Sequence, residues 1–348
     1  MRDNITGKSI LLCTDSFYGY GLLIKKELLK MGAKSVYMKP AAYFPGSFRE
    51  KITQLTFLSW LKEPFARTHW TDNLIEEIKD CNFDTMLVVE NMSFKKYFLD
   101  YMRSVNPQIR IILFLWDTFK TQQPRFRDYF SRFDVIYSFD KDDAKRYGFR
   151  YFPDFYIPQT VTPINDCKYD IAFVGAMNPM QTKYRGQTLR KIDAFCKENG
   201  LKTYFYIRYY QVVSSDNRLR RWYQIIKNFT YYKIISSLKN SGMLHIDSLP
   251  IADYNQIMAD TRVILDLSYP GRQGMTINAI TALANGKKLI TTNKRIKEEP
   301  FYNPSMICII DELSPELDMN FFRIPYESID VSYLRIDNWL KHIVNENK

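Results

Sequence analysis

Apolar and polar positions along this chain alternate between two periods. Short apolar runs at residues 9–14 (SILLCT), 85–90, 109–116 and 135–139 have the length and composition of buried strands. Helical spacing falls between and after them, at residues 22–31, 71–79, 94–105, 125–132 and 140–147, with Gly32 and Gly148 as stops. Residues 35–38 form a further strand beside the first. A second series opens with a strand at 169–174, followed by a helix at 188–199, a strand at 203–207, a helix at 253–260 and strands at 263–267, 288–292 and 306–310. An amphipathic helix at 333–345 (Leu334, Ile336, Trp339, Leu340, Ile343) closes the chain.

Strand and helix alternating in this way predict parallel sheets covered by helices. Between the two series lies a stretch, residues 151–168, with Pro153, Pro158 and Pro163 and few periodic apolar positions, which reads as a linker. The expected organisation is an α/β fold of two Rossmann-like domains facing a cleft. An N-terminal domain spans residues 1–155, a linker 156–168, a C-terminal domain 169–325 and a terminal helical segment 326–348.

The most informative stretch is residues 262–293, RVILDLSYPGRQGMTINAITALANGKKLITTN. Its strand at 263–267 leads into a loop at 268–274 punctuated by Pro270, Gly271 and Gly274. Thr276 or Asn278 can cap the next helix, whose apolar face carries Ile277, Ile280, Leu283 and Ala284, and Gly286 ends it before a strand at 288–292. A glycine loop feeding a helix N-terminus presents backbone N–H groups and the positive end of the helix dipole, an arrangement suited to phosphate or pyrophosphate. Arg272 would add a fork of donors to the same anion. The alternative is an ordinary βαβ unit whose glycines only turn the chain.

Asp266-Leu267, Pro270, Gln273-Gly274-Met275-Thr276 and Gly286-Lys287-Lys288-Leu289-Ile290-Thr291-Thr292-Asn293 resemble the donor-binding half of GT-B glycosyltransferases from bacterial lipopolysaccharide, capsule and exopolysaccharide clusters. LFLWDTFK at 113–120 and FDVIYSFDKDDAKRYGF at 133–149 resemble the same group, whereas residues 1–80 resemble nothing specific. The resemblance implies a donor pyrophosphate at Arg272, Gln273, Gly274, Met275 and Thr276. It also implies that the loop holding Gly175 faces the donor phosphates, so that Lys183 or Arg185 pairs with them, and that the last helix crosses back to the first domain. There are two departures. Thr281 stands where the group has a helix glutamate able to hold the donor ribose, and Asn278 where it has an arginine.

Asp15, Glu90 and Asp117 fall at the carboxyl ends of predicted strands, where open α/β sheets place functional groups. Each is a candidate general base for an acceptor hydroxyl, Asp117 first among them. The competing roles are loop capping for Asp15 and helix capping for Asp117.

The chain has 348 residues, 46% of them hydrophobic, and a formal net charge of +11. That length and composition support two cores and exclude wholesale disorder. No apolar run approaches the ~20 residues of a membrane span, and Met1-Arg2-Asp3-Asn4 is not a signal-peptide start. Five scattered cysteines read as reduced thiols of a cytoplasmic protein, and three scattered histidines give no protein-built metal site. The positive charge calls for an anionic partner. Residues 208–239 concentrate it: Arg208, Arg218, Arg220, Arg221, Lys227, Lys233 and Lys239 stand against a single acid, Asp216, with Trp222, Tyr223, Phe229, Tyr231 and Tyr232 interleaved. A basic amphipathic helix of this kind suits an anionic bilayer surface; RNA or single-stranded DNA, or a solvated helix face, are the alternatives.

Together these readings predict a metal-independent glycosyltransferase. It would move a sugar from a nucleotide-sugar donor, a substrate rather than a cofactor, to a hydroxyl of a free or lipid-linked surface glycan. It would work in the cytoplasm, at the inner face of the plasma membrane, with no nucleic-acid partner. A degenerate nucleotide-binding relative and a basic nucleic-acid-binding protein are the rivals.

Overall fold

A computed structural model describes residues 4–14, 19–40, 59–90, 92–118, 124–177, 179–210, 218–268 and 274–345. The chain divides into two compact units, Met1–Asp154 with Leu334–Lys348, and Phe155–Tyr333.

In the first unit β1 (Ser9–Thr14), α1 (Tyr20–Lys30), β2 (Ser35–Pro40), α2 (Ser59–Ile78), β3 (Thr85–Val89), α3 (Tyr97–Val105), β4 (Arg110–Leu115), β5 (Val135–Ser138), α4 (Lys141–Tyr147) and β6 (Arg150–Tyr151) follow one another. The strands form one parallel sheet in the order β2-β1-β3-β4-β5-β6. Central strands of a parallel sheet are covered on both faces. This is why β3 is buried along its whole length and why β1 and β4 read as continuous apolar runs. Asp140 caps α4 by accepting from the N–H groups of Asp142 and Asp143, and Gly148 ends it with φ 72°.

The last helix of the chain, α11 (Ile336–Asn345), belongs to this unit. Trp339 is fully buried, its indole donates to the carbonyl of Pro153 at 3.0 Å, and its ring meets Phe114 edge-on at 4.6 Å. His342 stacks on Phe152 at 3.8 Å.

The second unit runs β7 (Tyr169–Met177), α5 (Pro179–Glu198), β8 (Thr203–Tyr209), α6 (Arg218–Lys227), α7 (Phe229–Leu238), β9 (Leu244–His245), α8 (Ile251–Ala259), β10 (Thr261–Asp266), α9 (Ile277–Ala284), β11 (Lys288–Thr291), β12 (Ile307–Ile309) and α10 (Met319–Arg323). Its parallel sheet has the order β12-β11-β10-β7-β8-β9. One core gathers Ile171, Phe173 and Val263 from the strands with Leu189, Ile192, Tyr231 and Ile234 from α5 and α7.

Several elements differ from the periodicity. The helix predicted at 71–79 begins at Ser59, and within it Arg67 is buried, donating to the carbonyls of Met92, Ser93 and Phe94. A guanidinium with backbone acceptors of its own can enter a core, so this arginine is an internal strut rather than part of a basic surface. The helix predicted at 188–199 begins at Pro179, and among the described residues of the basic stretch 208–239 there are two helices, not one. Residues 125–132 form 3₁₀ turns, Pro124–Arg132.

Candidate functional site

Ligands of open α/β sheets bind beyond the carboxyl ends of the strands, where the strand order reverses. In the second sheet that reversal lies between β7 and β10, since β7 is followed outward by β8 and β9 on one side and β10 by β11 and β12 on the other. Arg185, projecting from α5, occupies it. Its Nη1 donates to the carbonyl of Ala176 in β7 at 2.6 Å, and its Nε and Nη2 donate to that of Leu267, one residue past β10, at 2.9 and 2.7 Å. The guanidinium therefore ties the two strand ends together.

Beside it, α9 begins at Thr276, the capping residue: its Oγ1 accepts from the N–H of Ala279 at 3.1 Å and donates to Asp266 Oδ1 at 2.9 Å. The hydroxyl of Thr291 donates to Asp266 Oδ2 at 3.4 Å. One carboxylate at the end of β10 thus fixes both the start of α9 and the end of β11. Asn293 reaches back, its Nδ2 donating to the carbonyl of Gly274 at 3.3 Å, and Thr292 Oγ1 donates to that of Ser268. These bonds hold the two ends of the loop between β10 and α9. By helix geometry the N–H groups of Ile277 and Asn278 have no acceptor within α9, so they and the helix dipole face that loop. The side chain of Asn278 is engaged elsewhere, Oδ1 accepting from the Tyr254 hydroxyl at 2.6 Å.

Of the residues singled out for the donor, Gly274, Met275 and Thr276 lie at this helix start, Gly274 and Met275 both buried. Arg272 and Gln273 lie outside the described residues, and so does the side chain of Lys183, which sits on α5. Thr281 is buried within α9. Gly175 is not in a loop: β7 continues to Met177, and Gly175 pairs with Ile207. A Cβ there would lie 2.7 Å from the Phe173 ring, so a core side chain on the same strand face demands this glycine. Asp266, Thr291 and Asn293, which organise the loop, were legible only as part of the motif, because nothing in a sequence tells which hydroxyl a carboxylate will meet.

In the first sheet the order reverses between β1 and β3. Glu90, directly after β3, is buried and has φ 65°, the left-handed region that a side-chain-bearing residue rarely adopts. Its Oε2 accepts from the N–H groups of Trp116 and Asp117, each at 3.0 Å. Asp117 is half-buried, and its Oδ1 accepts from the N–H of Thr118 at 3.0 Å; the residues that a helix cap here would serve lie outside the described residues. Glu90 and Asp117 are therefore brought together at the ends of β3 and β4, while Asp15 lies outside the described residues. The buried hydroxyl of Thr14, at the end of β1, has no hydrogen-bond partner among the described residues; that of Ser268, past β10 in the other unit, has none either.

The lysines of the Gly-Lys-Lys segment are structural. Lys287 is fully buried and donates to the carbonyls of Thr162 and Ala259, each at 2.9 Å, and to Cys167 Sγ at 3.1 Å. Lys288, equally buried, donates to Phe321 and Ile324 and lies over the rings of Phe321 and Tyr326; burial lowers its pKa. Among the described residues no three His, Cys, Asp or Glu side chains gather in a way that would hold a metal ion.

No known family profile and no curated protein sequence matches the chain. Solved structures do. The N-terminal domain of trehalose-6-phosphate phosphatase from Candida albicans aligns at 12% identity over 99% of this chain and 97% of its own, with a TM-score of 0.55. An α-glucosyltransferase in complex with UDP and a 13-mer DNA aligns at 12% identity over 88% and 87%, with a TM-score of 0.51. A UDP-GlcNAc 2-epimerase from Neisseria meningitidis, bound to UDP-GlcNAc, aligns at 9% identity over 90% of each chain, with a TM-score of 0.49. At 12% identity the first two likenesses establish the fold alone: two Rossmann-like α/β domains of the GT-B kind.

Proposed function

We propose that this protein is a glycosyltransferase that moves a sugar from a nucleotide-sugar donor to a hydroxyl of a bacterial surface glycan. The reading is carried by the start of α9, where Asp266 and Thr276 present a helix N-terminus to the glycine loop at the reversal of the sheet. A nucleoside diphosphate leaving group needs fixed positive ends, and backbone N–H groups placed in advance supply them without reorganisation. Arg272 and Lys183 add cationic charge to the same anion. Arg185 acts one step back, holding the strand ends that frame the loop. UDP bound to a glucosyltransferase of this fold supports the donor class.

The acceptor hydroxyl docks on the first domain, and Asp117 serves as the general base. Its carboxylate stays half-exposed beside Glu90, whose own carboxylate orders the neighbouring backbone. The enzyme works in the cytoplasm at the inner face of the plasma membrane, on a glycan that is free or lipid-linked.

A thermal-shift screen of the full chain against nucleotide sugars and free nucleoside diphosphates tests the donor assignment, since a ligand that binds only the folded state raises the melting midpoint. One nucleotide family is expected to stabilise the protein, and Arg272→Ala to abolish the shift. Product analysis with the stabilising nucleotide sugar then separates transfer from epimerisation of the donor. No shift with any nucleotide, or an epimerised donor as the product, refutes the transferase.

A further inference from the structure

The two helices of the basic stretch treat their apolar residues in opposite ways. On α7 the stripe Tyr231, Ile234 and Leu238 is buried in the core of the second unit, and Gly186 of α5 approaches Ile234 so closely that a Cβ there would lie 2.3 Å from it. On α6 the stripe points outward. Trp222, Ile225 and Ile226, at the i, i+3, i+4 spacing of one helix face, are 65%, 40% and 52% exposed, Tyr223 beside them is 61% exposed, and Phe229, the first residue of α7, is 64% exposed. An amphipathic helix normally turns this face to the core. Here it is displayed, with exposed Arg218 and Lys227 on the same helix, exposed Lys233 on the next and exposed Lys239 just past that helix's end. Residues 217–246 contain no aspartate or glutamate.

We propose that α6, with the start of α7, is a docking surface for an anionic lipid bilayer, α6 lying in the headgroup plane with Trp222, Ile225 and Ile226, and Phe229 beyond them, turned into the acyl boundary. Four observations select this occupant. Aromatic rings with aliphatic side chains between them match the boundary between headgroups and acyl chains. The cations within a turn of the stripe complement anionic headgroups, each strengthening partition about fivefold. A second copy of this chain docked on the same face in a two-fold contact would bring the cations Arg218 and Lys227 to both sides with no acid on α6 to meet them, so like charges would oppose it. For nucleic acid, Ile225 and Ile226 at the centre of the stripe offer bases no stacking surface. The surface deepens the membrane location proposed above without depending on the transfer chemistry.

The test uses the full chain in flotation with vesicles of phosphatidylcholine alone and of phosphatidylcholine with an equal part of phosphatidylglycerol. Wild type is expected to float with the anionic vesicles only, with salt weakening the partition. Trp222→Glu/Ile226→Glu is expected to lower partition at least about tenfold. Arg218→Ser/Lys227→Ser is expected to lower it about 25-fold at low salt. Both pairs are exposed, so melting temperature should hold; should the acidic pair fail to fold, the serine pair decides.

No flotation, or equal flotation of wild type and both variants, overturns the proposal. So does a concentration-dependent dimer, or RNA binding in place of vesicle binding, lost through the same substitutions. Nucleotide-sugar thermal shifts on the same samples keep the two readings apart. Flotation without a nucleotide shift leaves the docking surface and removes the donor assignment, and the converse removes the surface alone.

Discussion

Arg185 donates through Nε and Nη2 to the carbonyl of Leu267 while its Nη1 holds Ala176, so one side chain closes the gap between β7 and β10 at the point where the strand order reverses. A planar fork is required, because two acceptors on different strands are met in one plane. Arg185→Lys keeps the charge and loses the fork. It should lower unfolding free energy by about 3 kcal/mol, read from urea midpoints at unchanged slope. A variant as stable as wild type would show that the bridge is incidental.

Gly175 tests whether that glycine serves packing or ligand approach. A Cβ would meet Phe173 Cζ at 2.7 Å, so Gly175→Ala should destabilise by about 1–3 kcal/mol. Adding Phe173→Leu removes the ring and should recover much of that overpacking loss, measured as a coupling energy in a double-mutant cycle. If stability recovers while nucleotide binding does not, the glycine also serves the ligand.

The two carboxylates at the ends of β3 and β4 separate by substitution. Asp117→Asn retains an oxygen for the Thr118 N–H, so stability should change little while transfer falls by about 10²-fold or more. Glu90→Gln retains an acceptor for Trp116 and Asp117 but loses its charge. It should soften the midpoint by about 1 kcal/mol and leave transfer within tenfold of wild type. The opposite pattern in a transfer assay would make Glu90 the base.

Acid stability turns partly on Asp260. Its carboxylate accepts from Lys168 Nζ at 2.7 Å and from Thr162 Oγ1 at 2.6 Å, which with Gln256 brings its pKa from 3.8 down to about 2. A carboxyl held below its unfolded value stabilises the fold above that value and loses the contribution as pH falls toward the folded one. Wild type should therefore exceed Asp260→Asn in stability at neutral pH. The gap should narrow between about pH 4 and pH 2, as read by denaturant titrations across that range.

The apolar runs of β1, β3 and β4 announced themselves because a parallel strand covered on both faces has no polar side to hide. Thr276 could be named as a cap since a hydroxyl before a periodic run has little else to do locally. Local rules reached no further than the neighbouring turn. Gly175 looked like part of a loop because the sequence does not reveal that Phe173 claims its space. The lysines at 287 and 288 stood in the sequence only as part of a motif, and each is buried with backbone carbonyls from distant segments as acceptors.

Residues 208–239 show the same division within one segment. Composition alone announced an amphipathic, basic, aromatic stretch. Which helix would bury its stripe was settled by the close approach that Gly186 allows to α7, which leaves α6 with its own stripe exposed. Periodicity, capping and turn chemistry act between residues a few positions apart, so the sequence by itself determined the α/β class, most of the strands and the loop-to-helix motif. Partner choice for Arg185, Glu90, Lys287 and the α6 stripe depends on atoms brought near by the whole chain, and only the tertiary structure decided it.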